Sequence, residues 1–301
     1  MTHEESLASF IARATGSPFR INDTLSIPGG SKWRCVRLDN AASGSPSRVF
    51  AKIGAIEALP IFEAERDGLT LLKRACSSFA LLRIPRVLAC GEVAGEAVLI
   101  LEWIELEPLT AKSGAELGRA MAALHRNSAE KFGLERDNFI GATPQINTRE
   151  DNWVTFWQHH RLQVQLQLAA RNRYPTRLID RGERLAADCA VFFRGYYPQP
   201  SLLHGDTWGG NAAADAAGTP VMFDPAVYYG DREADLAMTE LFGGYPKDFQ
   251  PAYRNAWPLD DGYTVRKEFY NLYHILNHAN LFAGDYVRRA ERMIESLLAE
   301  L

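Results

Sequence analysis

Residues 201–225 read SLLHGDTWGGNAAADAAGTPVMFDP, and the fold turns on how they are read. An apolar strand ends, His204-Gly205-Asp206 follows, and Asn211 lies five residues after the aspartate. A turn and a short strand, PVMF, come next, and Asp224 ends them. Three oxygen-bearing side chains are thus expected at strand ends. Asp and Asn are common turn formers, so each alone says little. Together they suit a hard cation. Mg2+ keeps several waters and binds through one or two carboxylates plus substrate phosphates.

Upstream of this stretch the chain changes character once. Residues 24–104 are strand-like: the turn IPGG, then WRCVRL, RVFAKIG and the apolar run AVLILEWI. β-Branched and aromatic residues punctuated by Gly, Pro and Asn support strands. From about Lys112 the apolar spacing turns helical. Ser113 and Glu116 form an S-x-x-E capping box, with Leu117, Met121 and Leu124 on one stripe. Trp153, Phe156, Trp157, His160 and Val164 trace a long amphipathic helix, and the chain from Gly262 onward also reads as helical. The outline is α+β: a small sheet-rich lobe, 1–104, joined by a hinge near ELEP to a larger, mainly helical lobe, 105–301.

One helix is expected within the first lobe, with Pro60 in its first turn. Phe62, Leu69 and Leu72 share a face, and Glu65 lies on that same face. A lone buried carboxylate costs several kcal/mol, so Glu65 either finds a partner or sits at a lobe edge. In RVFAKIG, Val49, Ala51 and Ile53 point one way and Phe50, Lys52 and Gly54 the other. Lys52 is either a solvent-facing gatekeeper of an edge strand or the partner of Glu65.

Taken in order, these features match the phosphoryl-transfer template. Protein kinases use a loop H-R-D-x-x-x-x-N, a later D-F-G aspartate, and a strand lysine paired with a helix glutamate. Here H-G-D-x-x-x-x-N and D-P-A take those places, and Lys52 and Glu65 precede them.

Longer stretches narrow the match. LLHGDTWGGN, FDPAVYYGDREADLAMTELFGGYP and FYNLYHILNHANLF resemble the fructosamine kinase (ketosamine-3-kinase) family, a relative of the aminoglycoside phosphotransferases and choline kinases. LHRN, KFGLERDNFIGATPQIN, WVTFWQHHRLQVQLQLA, IFEAERDGLTLL and IPRVL fit the same family, so the resemblance spans about residues 24–286. It implies a two-lobed protein-kinase-like fold, with a small antiparallel-sheet lobe and a larger helical lobe. It also implies ATP- and Mg2+-dependent phosphorylation of the 3-hydroxyl of a ketosamine, free or protein-bound.

By that resemblance Asp206 would accept the proton of the substrate hydroxyl. Asn211 and Asp224 would hold Mg2+, and Lys52, held by Glu65, would contact the ATP phosphates. Backbone groups of Glu102 and Ile104, in LEWIEL, would meet the adenine edge. Asp235 would brace the catalytic loop. Two departures stand out. The turn meant to cover the phosphates is IPGGSKW, with Gly29, Gly30 and Ser31 in place of G-x-G-x-x-G. Thr207 stands where the family more often has Leu. On the acceptor side, Trp208 is placed either against the sugar or in the core, and His204 as a hydrogen-bonder holding the loop.

The remaining features exclude other classes. Thirty-three Lys+Arg against 37 Asp+Glu give a net charge of −4, so no global basic field exists to hold nucleic acid. The cysteines, Cys35, Cys76, Cys90 and Cys189, form no C-x-x-C pair and read as free thiols. Redox control at Cys35 is the less favoured reading. His274 and His278 are spaced like zinc ligands, but HILNH lacks the Glu of H-E-x-x-H, so a core role is expected. MTHEESLASFIARATG does not read as a secretory signal, and no apolar run approaches the ~18 residues of a membrane span. A cytoplasmic monomer is the expectation. The rival functions are a kinase of another hydroxyl acceptor, such as an aminoglycoside or a choline-like alcohol, and a nucleotide-binding protein without turnover.

Overall fold

The computed structural model describes residues 2–28, 32–78 and 81–301. The chain divides into two compact units, Met1–Pro108 with Ala213–Asp224, and Leu109–Ala212 with Pro225–Leu301. The hairpin that follows Asn211 thus belongs to the first unit, although the sequence reading placed everything beyond residue 104 in the second.

The first unit is built on a five-stranded antiparallel sheet. Its strands are β1 (Ile21–Ser26), β2 (Arg34–Asn40), β3 (Arg48–Ala55), β4 (Val87–Val93) and β5 (Glu96–Glu102), in the order β1-β2-β3-β5-β4. β3 is central, which removes the edge-strand reading of Lys52. Alternation sends Val49, Ala51 and Ile53 into one core with Val36, Leu38, Val98 and Ile100. That core is closed by Leu7, Ala8 and Ile11 of helix α1 (His3–Thr15). The sequence reading expected one helix in this lobe; among the described residues there are two α-helices. The missed signal is a capping box: Thr2 accepts from the Glu5 N–H, the Glu5 carboxylate accepts from the Thr2 N–H, and Gly16 closes the helix at φ 67°. Helix α2 (Leu59–Ala75) is the expected one, with Pro60 in its first turn and Phe62, Glu65, Leu69 and Leu72 buried. It packs against β4 and β5.

A two-residue strand, β6 (Leu106–Glu107), follows before the second unit begins with helix α3 (Ala111–His125). The cap of α3 corrects the expected one. Thr110 is the N-cap and Ser113 its reciprocal partner three residues on, so the helix starts one turn earlier than Ser113–Glu116 implied. β7 (Asn138–Ile140) and β8 (Thr143–Gln145) form a hairpin. The expected long helix after it is real but interrupted: α4 (Trp153–Trp157), a π turn over Gln158–Leu162, and α5 (Gln163–Arg171). The π turn carries the buried Arg161, whose guanidinium donates to the Ile146 carbonyl and Asn147 Oδ1.

α6 (Thr176–Asp188) and β9 (Ser201–Leu203) lead to the loop that begins at His204. β10 (Ala212–Asp215) and β11 (Pro220–Met222) then add to β6 as a three-stranded sheet. β12 (Tyr228–Gly230) pairs antiparallel with β9. Helices α7 (Arg232–Leu241), α8 (Phe249–Ala256), α9 (Tyr263–Phe282) and α10 (Asp285–Leu298) complete the unit. The aromatic stripe Trp153, Phe156 and Trp157 packs with Phe269, Tyr270 and Tyr273 of α9, a core rather than a cofactor box. Among the described residues no helix is long and apolar enough to cross a membrane. The architecture is α+β, with a small antiparallel sheet in one unit and mainly helices in the other.

Candidate functional site

In the first unit the site begins with a buried cation. Lys52 is 3% exposed on the α2 side of β3, opposite Leu99 of β5 and Cys35 of β2. Its Nζ donates to Glu65 Oε1 at 2.9 Å, Glu65 Oε2 at 2.7 Å and Asp224 Oδ1 at 2.8 Å. Glu65 thus has its partner, which explains an acid on an apolar stripe. Burial alone would depress the Lys52 ammonium, but Asp224 and Glu65 outweigh it and hold its pKa well above the ordinary value. Burial likewise pushes the Glu65 carboxyl up to about 8; Lys52 opposes this and Asp224 adds to it. The two-oxygen contact favours the charged pair, so a proton taken up by this cluster goes to a carboxylate while Lys52 stays an ammonium. Two carboxylates around one ammonium leave one excess negative charge. Asp224 is the accessible member, with 38% of its side chain exposed. It also holds a left-handed backbone, φ 54°, directly before Pro225. Strain of this kind at a polar residue is often found where a side chain is aimed for function.

Glu102 and Ile104 lie in the same unit. The Glu102 N–H donates to the Arg86 carbonyl, and its carboxylate accepts from the Arg86 N–H and the Arg83 guanidinium. Arg83 also reaches Asp215 at 3.1 Å and so ties the β10 hairpin to this strand end. Ile104 is buried. Gly29, Gly30 and Ser31 lie outside the described residues. Trp33, just beyond them, packs edge-on against Phe62 of α2 at 5.5 Å.

In the second unit the loop from His204 to Asn211 hangs from one buried carboxylate. Asp235, 2% exposed on α7, accepts from the His204 N–H at 2.8 Å and the Gly205 N–H at 2.9 Å. Its backbone carbonyl accepts from Thr207 Oγ1 at 2.6 Å. Burial would raise its carboxyl, but the His125 hydrogen bond, His125, His204 and the Gly205 N–H together hold it below the usual range. Gly205 is obligatory. Its φ is 83°, and a Cβ would lie 2.0 Å from the Ala226 carbonyl oxygen. The Asp206 N–H donates to His204 Nδ1 at 3.3 Å, so the His204 proton sits on Nε2. His204 is wholly buried and braces the loop. Asn211 Nδ2 donates to Asp206 Oδ2 at 3.0 Å and to its carbonyl at 2.9 Å, which fixes the carboxylate. Trp208 is 36% exposed and its ring lies over Gly210, so it is not the core anchor that one reading allowed.

Three features escaped sequence reasoning. The Thr207 hydroxyl, read only as a small polar change, is a tether. His125 supports Asp235 from 110 residues away. Tyr245, beside the paired glycines 243 and 244, buries a hydroxyl with no hydrogen-bond partner among the described residues. LHRN signals His125 only to a reader who already knows where α3 ends.

His274 and His278 do not face a common ligand. His278 Nδ1 donates to the His274 carbonyl, and burial depresses the His274 pKa to about 3. An unfolded histidine titrates near 6.5, so His274 contributes stability that is present above that pH and is lost as pH falls towards 3. His274→Gln is expected to flatten the acid limb of stability against pH by up to about 1.4 kcal/mol per unit. Thermal melts from pH 7 to 4 check this, and identical slopes in variant and wild type would refute it.

The described residues contain no group of three or more His, Cys, Asp and Glu side chains placed to hold a metal. In the first unit Asp224 offers a carboxylate; in the second, Asn211 commits its amide nitrogen to Asp206. Each is an oxygen-bearing side chain of the kind a hard cation takes.

Comparison with known proteins identifies the family. The sequence profile of the family described as Fructosamine kinase matches residues 3–300. The Synechocystis sp. protein named "Probable ketoamine kinase" is 40% identical over 299 residues, covering 98% of this chain and 96% of that one. The Oryza sativa protein named "Protein-ribulosamine 3-kinase, chloroplastic" is 34% identical over 289 residues, 95% of this chain and 82% of that one. Among solved structures, a Haemophilus somnus 129PT protein assigned as a fructosamine-3-kinase superposes with a TM-score of 0.86 at 27% identity, covering 98% and 97% of the two chains. Aminoglycoside phosphotransferase and choline kinase structures, at 17% and 13% identity, share the fold alone.

Proposed function

The chain belongs to the fructosamine kinase family, and from that premise we propose that it transfers the γ-phosphoryl group of ATP, with Mg2+, to the 3-hydroxyl of a ketosamine. The acceptor is a fructosamine or ribulosamine, free or on a protein. The observation that carries the reading is the Lys52–Glu65–Asp224 cluster, a buried ammonium held by two carboxylates of which one is accessible.

Asp206 accepts the proton of the acceptor hydroxyl as the oxygen attacks phosphorus in line. The bond to the bridging oxygen of ADP breaks, and the proton leaves with Asp206. Asn211 keeps the Asp206 carboxylate turned to that task. Lys52 meets the nucleotide phosphates and offsets charge that builds on the leaving group. Glu65 keeps the ammonium in place, and backbone groups of Glu102 and Ile104 take the adenine edge. Gly29, Gly30 and Ser31 cover the phosphates, and Trp208 meets the sugar. Asn211 and Asp224 would hold Mg2+, which when bound neutralises phosphate charge. Catalysis in this class is mostly positioning and electrostatics, in keeping with the hydrogen bonds that hold Lys52, Glu65, Asp206, Asn211 and Asp224.

The names of the relatives favour a ketosamine over an aminoglycoside or choline-like acceptor, and the presence of Asp206, Asn211, Asp224 and Lys52 argues against a protein without turnover. ADP release with Mg·ATP against ribulosyl-lysine, fructosyl-lysine, choline and an aminoglycoside tests the acceptor. Turnover confined to the ketosamines is expected. Turnover confined to another acceptor would keep the chemistry and discard the substrate.

A further inference from the structure

Two amide side chains occupy the buried face of the β7–β8 hairpin. Asn138 and Gln145 stand opposite each other across it, 5% and 1% exposed. Buried amides need partners, so their hydrogen bonds say what they are for. Gln145 Nε2 donates to the Ala226 carbonyl at 3.1 Å and to Asn138 Oδ1 at 2.9 Å. Gln145 Oε1 accepts from the Tyr273 hydroxyl at 3.0 Å. Asn138 Nδ2 donates to the Val227 carbonyl at 2.7 Å. The orientation of each amide follows from its neighbour. Arg161 can only donate, so Asn147 turns its Oδ1 to the guanidinium and its Nδ2 to Asn138 Oδ1, 2.8 Å away. That leaves the Asn138 nitrogen for Val227. A backbone carbonyl only accepts, so the Gln145 nitrogen faces Ala226. Two side-chain donors are thus spent on two successive backbone carbonyls.

Those carbonyls follow Asp224 by two and three residues. Asp224 has φ 54°, in the left-handed region, and the proline after it narrows its choices further. A residue other than glycine stays in such a conformation only where its surroundings over-determine it. We propose that Asn138 and Gln145 are positioning residues for Asp224: by clamping the Ala226 and Val227 carbonyls they hold the strained turn that presents its carboxylate to Mg2+. The inference rests on the kinase reading above. Both amides are committed to the protein's own groups, so their loss acts on the metal and not on the acceptor.

Mn2+ binding in the presence of ADP, read by electron paramagnetic resonance, tests this without turnover. Gln145→Met removes the donor to Ala226 with little change of volume. Asn138→Asp removes the donor to Val227 and keeps the oxygen that accepts from Gln145 and Asn147. Each is expected to weaken Mn2+ on the order of tenfold, the low end of what groups supporting a metal ligand are worth. The Mg2+ concentration at half-maximal rate should rise by the same factor, while adenosine affinity and the KM of the acceptor stay at wild-type values. Tyr273→Phe is the control for lost stability. It removes one hydrogen bond of Gln145 and leaves both clamps, because a turned amide would set its oxygen against two acceptors. Its melting temperature should fall with Mn2+ affinity unchanged. Wild-type Mn2+ affinity in either clamp variant, or a loss as large in Tyr273→Phe, would overturn the proposal. If Gln145→Met does not fold, Asn138→Asp decides alone. If the wild-type protein binds no Mn2+ with ADP, the function above fails. Hydrogen exchange of the Ala226 amide, which donates to the His204 carbonyl, then still decides the clamp. Faster exchange in the clamp variants than in Tyr273→Phe upholds it, and equal rates reject it.

Discussion

Asp206→Asn is expected to lose on the order of 10²–10⁴-fold in kcat, the usual worth of a positioned acid–base group. The substitution is nearly isosteric. Asn211 Nδ2 can still reach the Asp206 backbone carbonyl, and the amides of the loop remain bound to Asp235. What disappears is the proton acceptor. Nucleotide affinity should therefore be close to wild type, and the loss should appear in kcat for every acceptor alike. Steady-state kinetics with a nucleotide-binding titration check this. A variant turning over near the wild-type rate would remove Asp206 from the role of base.

Lys52→Met is expected to fail differently, with a loss on the order of 10²–10³-fold in kcat/KM, comparable to removing a preorganised donor from a charged transition state. Methionine fills the space beneath β3 but leaves Glu65 and Asp224 without their shared ammonium. Glu65, raised by burial already, should then take up a proton at neutral pH. The variant should thus fold and bind Mg·ATP more weakly, with the affinity loss larger for ATP than for adenosine. An equal loss of affinity for ATP and for adenosine, with unchanged kcat/KM, would contradict the assignment.

These two residues were legible for different reasons. Asp206 and Asn211 lie within one loop, so their short spacing brings them together. Lys52 and Glu65 lie 13 residues apart, and each was conspicuous because a charge interrupts an apolar pattern. Strand alternation and helix periodicity then put them on facing surfaces. The change from a strand-rich to a helical region was legible in the same way. What stayed hidden was held by distance or by small residues. His125 and Asp235 meet across 110 positions, and no local pattern links them. The signal for helix α1 is confined to its cap, Thr2 with Glu5. The π turn at Gln158–Leu162 left no mark in the sequence, because its register slips without breaking the apolar stripe. The exposure of Trp208 depends on the glycines around it, and residue type alone left it open.

The central claim is that this chain moves phosphate from ATP to a ketosamine through Asp206. The most direct measurement is transfer of label from γ-32P-ATP to ribulosyl-lysine, with Mg2+ and with EDTA, in wild type and in Asp206→Asn. The account predicts label on the ketosamine in the wild-type reaction with Mg2+, and its loss both with EDTA and in the variant. Label released only as inorganic phosphate, or equal labelling of the ketosamine by the variant, would contradict it.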